Sequence, residues 1–266
     1  MKKRGLWWIF GPVIIAFVLA GALFLAPFSL NHISQKSVRD ASVSFSKNVY
    51  KGETVKTAAF SDPSKRYVPF FGSSELLRLD TMHPSMLAAK YNRNYQPFLL
   101  GQAGTESLLH YLSMQEMLPA LHKKQAVFVI SQQWFVKKNV HGAFSVFYST
   151  LMTVDWLRNI KEITPTDRYI AKQLLEQPQI KDNGFYAKLV TKIKDNQPLS
   201  QTDLNLLSVR HRALLREDEL FSNLASSNNW DKHVKPAISR LPATDENGAL
   251  FKEATKNAPC IVFIDE

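Results

Sequence analysis

Three short segments carry groups able to act on an acyl or ester bond: Gly72-Ser73-Ser74-Glu75, Gly101-Gln102-Ala103-Gly104-Thr105 and Ser131-Gln132-Gln133-Trp134. A serine at a strand-to-helix turn, here Ser74, presents its hydroxyl beside the free backbone N–H groups of the helix start. That arrangement suits nucleophilic attack and stabilisation of the oxyanion that follows. The commoner use of such a serine is to cap the helix by accepting one of those N–H groups. Gly104 lets its backbone N–H approach an oxyanion, or serves as a plain turn residue. Gln133 offers a side-chain amide to the same oxygen and Trp134 a wall. Each has a structural explanation alone; their joint position on one edge of a sheet is what favours chemistry.

The elements that would put them there are short apolar runs: residues 66–71 (RYVPFF), 96–100 (QPFLL) and 126–130 (AVFVI). A helical pattern with Met86, Leu87 and Tyr91 follows His83-Pro84, and another over 105–121 carries Leu108, Leu109, Leu112 and Met117. Buried strands alternating with helices predict an α/β fold, a parallel sheet covered on both faces. Ligands bind at the carboxyl ends of such strands. Residues 144–238 show helical patterning without a strand candidate, with caps at 164–167 and 199–203, and predict a helical insertion or a lid. Residues 260–264 read as one further strand, of the kind buried in the middle of a parallel sheet.

Lys2, Lys3 and Arg4 precede a run from Gly5 to Leu30 without a charged side chain. The run exceeds the roughly 7–15 residues of a signal-peptide core and reaches the roughly 20 needed to span a bilayer. Residues 1–30 therefore predict a cytoplasmic flank and a single transmembrane anchor, with Trp7 and Trp8 at the headgroups and the remainder outside the cell membrane. Residues 31–65, polar and without a sustained period, read as a stalk, and 66–266 as one extracellular domain. The net charge is +10. A basic surface suits an anionic polymer or lipid headgroups; nothing in the spacing suggests nucleic-acid binding. The single cysteine, Cys260, excludes an internal disulfide. No histidine pair has the spacing of a helical metal site, so neither metal nor cofactor is expected.

The three segments together, behind an N-terminal anchor, resemble the DltD proteins of D-alanyl-lipoteichoic acid biosynthesis, members of the SGNH hydrolase-like superfamily. The resemblance implies a three-layer, flavodoxin-like sheet with a helical insertion and a part in D-alanylation. It implies that Ser74 takes the nucleophile position of the Gly-Asp-Ser block, with Ser73 replacing the Asp. Gly104 and Gln133 would take the positions of the Gly and Asn oxyanion donors, the Gln being one methylene longer. The implied partners are the teichoic acid polymer, a membrane acyltransferase and the D-alanyl carrier protein. The superfamily's last block, Asp-x-x-His, is absent after residue 238; Asp231-Lys232-His233 has one residue too few and reads as a solvated turn. The chain thus reads as shortened at its C-terminus and, without a base, as catalytically incompetent alone. Two further readings stay open: a membrane-tethered binding module, and an esterase or thioesterase.

Overall fold

The computed structural model describes residues 4–25, 33–80, 82–131, 134, 141–222, 228–242 and 261–264. In chain order these form α1 (Arg4–Leu25), α2 (Gln35–Ser42), α3 (Lys47–Lys51), α4 (Thr54–Ser61), β1 (Tyr67–Gly72) and a 3-10 turn (Ser74–Leu77). There follow α5 (Pro84–Lys90), β2 (Gln96–Gly101), α6 (Ser107–Glu116), α7 (Leu118–Leu121) and β3 (Ala126–Val129). The helices α8 (His141–Phe147), α9 (Thr150–Asn159), α10 (Pro165–Leu175), α11 (Pro178–Lys181), α12 (Gly184–Lys194), α13 (Gln201–Ser222) and α14 (Lys235–Arg240) precede β4 (Ile261–Ile264).

Each of the three expected strands forms where its apolar run lies. β1 runs parallel to β2, in register from Tyr67 against Gln96 to Gly72 against Gly101, and parallel to β3, with Phe70 against Val127. Alternation along β1 sends Tyr67 and Phe71 to one face, where they join Phe98 and Leu100 of β2, Phe60 of α4 and Met117. Val68 and Phe70 turn to the other face with Leu99, Val127 and Val129. Leu79 packs against this second group and against the cluster holding Met86 of α5 and Trp230. Both faces are covered, which is why the strands read as unbroken apolar runs rather than as alternating ones. Phe71 and Phe98 are fully buried, and burial of each contributes roughly 1.5–3 kcal/mol before entropy is subtracted.

Two expectations need correcting. The strand at 260–264 was expected inside a parallel sheet; β4 instead pairs antiparallel with β3, Ala126 against Ile264 and Val129 against Ile261, at the outer edge of the order β2-β1-β3-β4. An apolar, β-branched run reports burial, and strand direction is set by the path of the chain leading to it. The segment read as a stalk is also structured. α2, α3 and α4 bury Val38, Val49, Val55, Ala59 and Phe60 against the sheet's first face. Ser34 and Ser46 cap the first two, accepting N–H groups of Ser37 and Asn48. Helices this short carry too few apolar positions to show a period, and neighbouring elements stabilise them.

The helical stretch matches expectation. Thr164 and Asp167 exchange capping bonds at the start of α10, and Ser200 and Asp203 do the same at the start of α13. Trp156, Leu157, Leu174, Ile180, Leu189, Val190 and Leu207 build a core of its own here, which reaches Leu109 and Leu112 of α6. Among the described residues no helix is long and apolar enough to cross a membrane. α1 is continuous over 22 residues, but the side chains of residues 4–6, 9, 23 and 25 lie outside the described set, so the described apolar run is shorter than the helix.

Candidate functional site

The serine turn sits where the connections from β1 diverge, β2 lying on one side of it and β3 on the other. That is the switch point of an open α/β sheet, where a crevice forms at the carboxyl ends. Gly72 and Gly101 face each other at the ends of β1 and β2. A Cβ on Gly101 would lie 2.6 Å from Leu76 Cδ1 and 2.8 Å from the Gly72 carbonyl; only glycine lets the strand ends meet. The fully buried Thr105 hydroxyl ties them, lying 2.9 Å from the Gly72 carbonyl and 2.7 Å from the Gln102 carbonyl while accepting the Gln102 N–H at 3.0 Å. Gly104 takes φ +79°, a conformation costly for any other residue, and a Cβ there would press on Ala143 at 3.0 Å.

This turn aims the Gly104 N–H at Ser73, whose Oγ accepts it at 3.2 Å. Ser73 is 2% exposed, and its own N–H donates to Glu75 Oε1. Ser74 opens the 3-10 turn and is half-buried. The amide expected to face an oxyanion is therefore engaged by the first serine of the pair, while the second stays reachable from solvent. Gln133 lies outside the described residues. Among the described residues no imidazole hydrogen-bonds either serine. Trp134 stacks on the His110 ring, centroids 5.4 Å apart.

His110 lies behind Phe71, its ring 5.6 Å from that of the phenylalanine and its Nδ1 3.1 Å from the Tyr50 hydroxyl. Burial holds its pKa down at about 3, opposed weakly by the Gly72 carbonyl, so it is neutral at physiological pH. Two turns further along α6, Glu116 accepts from Lys56 Nζ at 2.6 Å, and both side chains are fully buried. Lys56 also donates to Ser113 Oγ and to the Tyr50 carbonyl, at 3.0 and 2.9 Å. Burial pushes the Glu116 carboxyl well up, against the pull of Lys56.

A second polar centre has no counterpart in the sequence reading. Glu53, just before α4, Asp155 of α9 and His211 of α13 converge beside a cavity of about 560 Å³ that Glu116 also lines. Burial would lower the His211 pKa, but the bond to Asp155 at 3.1 Å and the Glu53 carboxylate close by outweigh it and hold it up at about 9. Burial raises Glu53. The expectation of no metal rested on spacing within one helix, a signal blind to three residues from three elements. Only the fold relates positions 53, 155 and 211.

The model of the DltD protein family matches residues 42–260. Protein DltD of Lacticaseibacillus rhamnosus is 40% identical over 261 residues, covering 96% of this chain and 60% of the relative. Protein DltD of Bacillus subtilis (strain 168) is 27% identical over 241 residues, covering 90% of this chain and 60% of the relative. Protein DltD of Staphylococcus aureus (strain NCTC 8325 / PS 47) is 27% identical over 242 residues, covering 90% and 58%. The chain spans about 60% of the length of the first two of these relatives.

Proposed function

The chain belongs to the DltD family, and on that premise we propose that its strand-end turn takes part in D-alanylation of teichoic acid through an acyl group carried on Ser74. The observation that supports this choice is the division of labour between the two serines. Ser73 is buried and engaged with the Gly104 N–H, so it holds the donor loop in place. Ser74, half-buried at the mouth of the sheet, is the hydroxyl an acyl donor can reach.

The step is an ordinary acyl exchange. Ser74 Oγ attacks the D-alanyl carbonyl of an ester or thioester, its proton passes to a base, and the donor's oxygen or sulfur leaves with that proton. The Ser74 backbone N–H and the Gln133 amide hold the tetrahedral oxyanion, joined by the Gly104 N–H as it exchanges Ser73 Oγ for the acyl oxygen; one such donor is worth roughly 2.7–4 kcal/mol in a serine protease. A teichoic acid hydroxyl then attacks the acyl-serine and restores the Ser74 hydroxyl. Attack by water instead would make the protein an esterase or thioesterase. We read the fold as SGNH-like and the base as supplied by a group outside the described arrangement, because an unassisted serine is a poor nucleophile. The membrane acyltransferase and the D-alanyl carrier protein are the proposed partners in delivering the acyl group.

We read residues 1–30 as the cytoplasmic flank and membrane anchor, N-terminus inside. Support comes from Lys2, Lys3 and Arg4 before an uncharged run, and from Trp7, Trp8, Phe17 and Val18, which α1 leaves 64–83% exposed. An apolar surface of that kind calls for lipid or a partner. Protease added to intact protoplasts should then digest the body; survival until lysis would place it inside.

The functional test measures D-alanine esters on teichoic acid in cells whose full-length family member carries the same Gly-Ser-Ser-Glu block. Ser74→Ala should abolish them and Ser73→Ala should reduce them. Loss with Ser73→Ala alone would overturn the assignment, and retention in both variants would favour a tethered binding module.

A further inference from the structure

Carboxylates gathered in a partly enclosed space raise one another's energy unless a cation lies among them. The cavity between α4, α6, α9 and α13 collects Glu53, Glu116, Asp155 and His211. One donor atom each from Glu53, Asp155 and His211 lies within 4.8 Å of the other two. His211 Nε2 is 3.1 Å from Asp155 Oδ1 and 3.8 Å from Glu53 Oε2. Oxygen and nitrogen ligands sit about 2.0–2.2 Å from zinc, which separates neighbouring ligand atoms by about 3–3.6 Å. These three groups are near that spacing already.

A separate observation points the same way. Glu116, with a fully buried side chain, gives Oε2 to Lys56 and leaves Oε1 without a partner. Glu53 Oε2 and Asp155 Oδ2 are likewise buried without hydrogen bonds. Leaving such an atom unpaired costs roughly 1–3 kcal/mol, more when it is charged. The three residues that carry these oxygens all border one cavity, beside one imidazole.

We propose that this cavity binds one divalent transition-metal cation, of the zinc or manganese class, through His211, Asp155 and Glu53, with Glu116 supplying a further oxygen to the same space. An imidazole among carboxylates favours such borderline cations over calcium and magnesium, which prefer oxygen alone. Arg158 donates to Asp155 Oδ1 at 3.1 Å, orienting the carboxylate. Without metal, a proton on His211 takes the cation's place, so binding releases it. The ion would brace the start of α4 against α9 and α13.

The test uses the full chain, purified in detergent and stripped with a chelator, then titrated with Co2+ and with Zn2+. One equivalent should bind, Co2+ giving a visible d–d absorption. Even an outer-sphere partner is worth roughly 10–100-fold in affinity, so His211→Ala should weaken binding by about 100-fold or more. Asp155→Asn and Glu53→Gln, which keep the side-chain shape, serve if His211→Ala does not fold by circular dichroism. His233→Ala, at an exposed histidine, should change nothing. No bound metal, or binding unaffected by all three cavity substitutions, would overturn the proposal and leave His211 as a protonated partner in an ion cluster.

Discussion

The turn at the ends of β1 and β2 and the cavity among α4, α9 and α13 are both polar centres in an apolar molecule, yet they are built from different material. The turn is backbone: two facing glycines, one left-handed glycine and a threonine hydroxyl position an N–H beside a serine. The cavity is side chain: three carboxylates, an imidazole and the flanking Lys56 and Arg158, gathered from positions far apart in the chain. A centre made of backbone tolerates little change in shape and carries little charge. One made of charges depends on pairing and on pH. Each prediction below sharpens or breaks that contrast.

The largest effect belongs to the charged region. Lys56→Met should cost roughly 3–5 kcal/mol of stability, because it strands a buried carboxylate. Adding Glu116→Leu should recover most of that loss, since removing both partners leaves no unpaired charge. Chemical denaturation of the two variants decides it, and a double variant as unstable as the single one would mean that packing, not charge, holds α4 to α6.

Next in size is a pair of opposite pH responses. His211, faced by Glu53, Asp155 and Arg158, has its folded pKa raised to about 9. Its stabilisation is complete below the unfolded value near 6.5 and is lost as pH rises towards 9, on the order of 3 kcal/mol. His110 is the reverse, with a folded value of about 3. Its neutral form is stable above pH 6.5, and stability drains as pH falls towards 3, because the unfolded chain takes up a proton that the folded one refuses. Thermal unfolding across pH, with chelator present, should show His211→Gln flattening the alkaline limb and His110→Gln the acid one. Unchanged limbs would contradict the assigned environments.

Smaller effects fall on the turn. Thr105→Val removes a hydroxyl that holds two strand ends and should cost roughly 1–3 kcal/mol. Gly104→Ala should cost about 1 kcal/mol through its positive φ, yet reduce teichoic acid D-alanine esters more than Thr105→Val does, because the Gly104 amide is itself the proposed donor. The opposite ranking would make the turn a structural device only.

The same contrast explains what the sequence made legible. Strands β1 to β3 were readable because apolar runs ending at Gly72, Gly101 and Ser131 signal both burial and turn, and the α10 and α13 starts because Thr164–Asp167 and Ser200–Asp203 are local motifs. Backbone centres are written contiguously, so Ser74 and Gly104 stood out as candidates. What that reading missed was which serine the Gly104 amide meets, a matter of ångströms at the strand ends. Glu53, Asp155 and His211 were illegible singly, each resembling a solvated helix residue. The direction of β4 and the packing of α2 to α4 depend on neighbours that no local pattern names.

The most direct measurement is fluorophosphonate labelling of a full-length family member carrying the Gly-Ser-Ser-Glu block, in a preparation that restores D-alanine esters to deficient cells. The modified residue is mapped by peptide mass spectrometry. The proposed site predicts one adduct, on Ser74, lost in Ser74→Ala. An adduct on Ser73, or none in a preparation that remains active, would contradict an acyl group carried on Ser74.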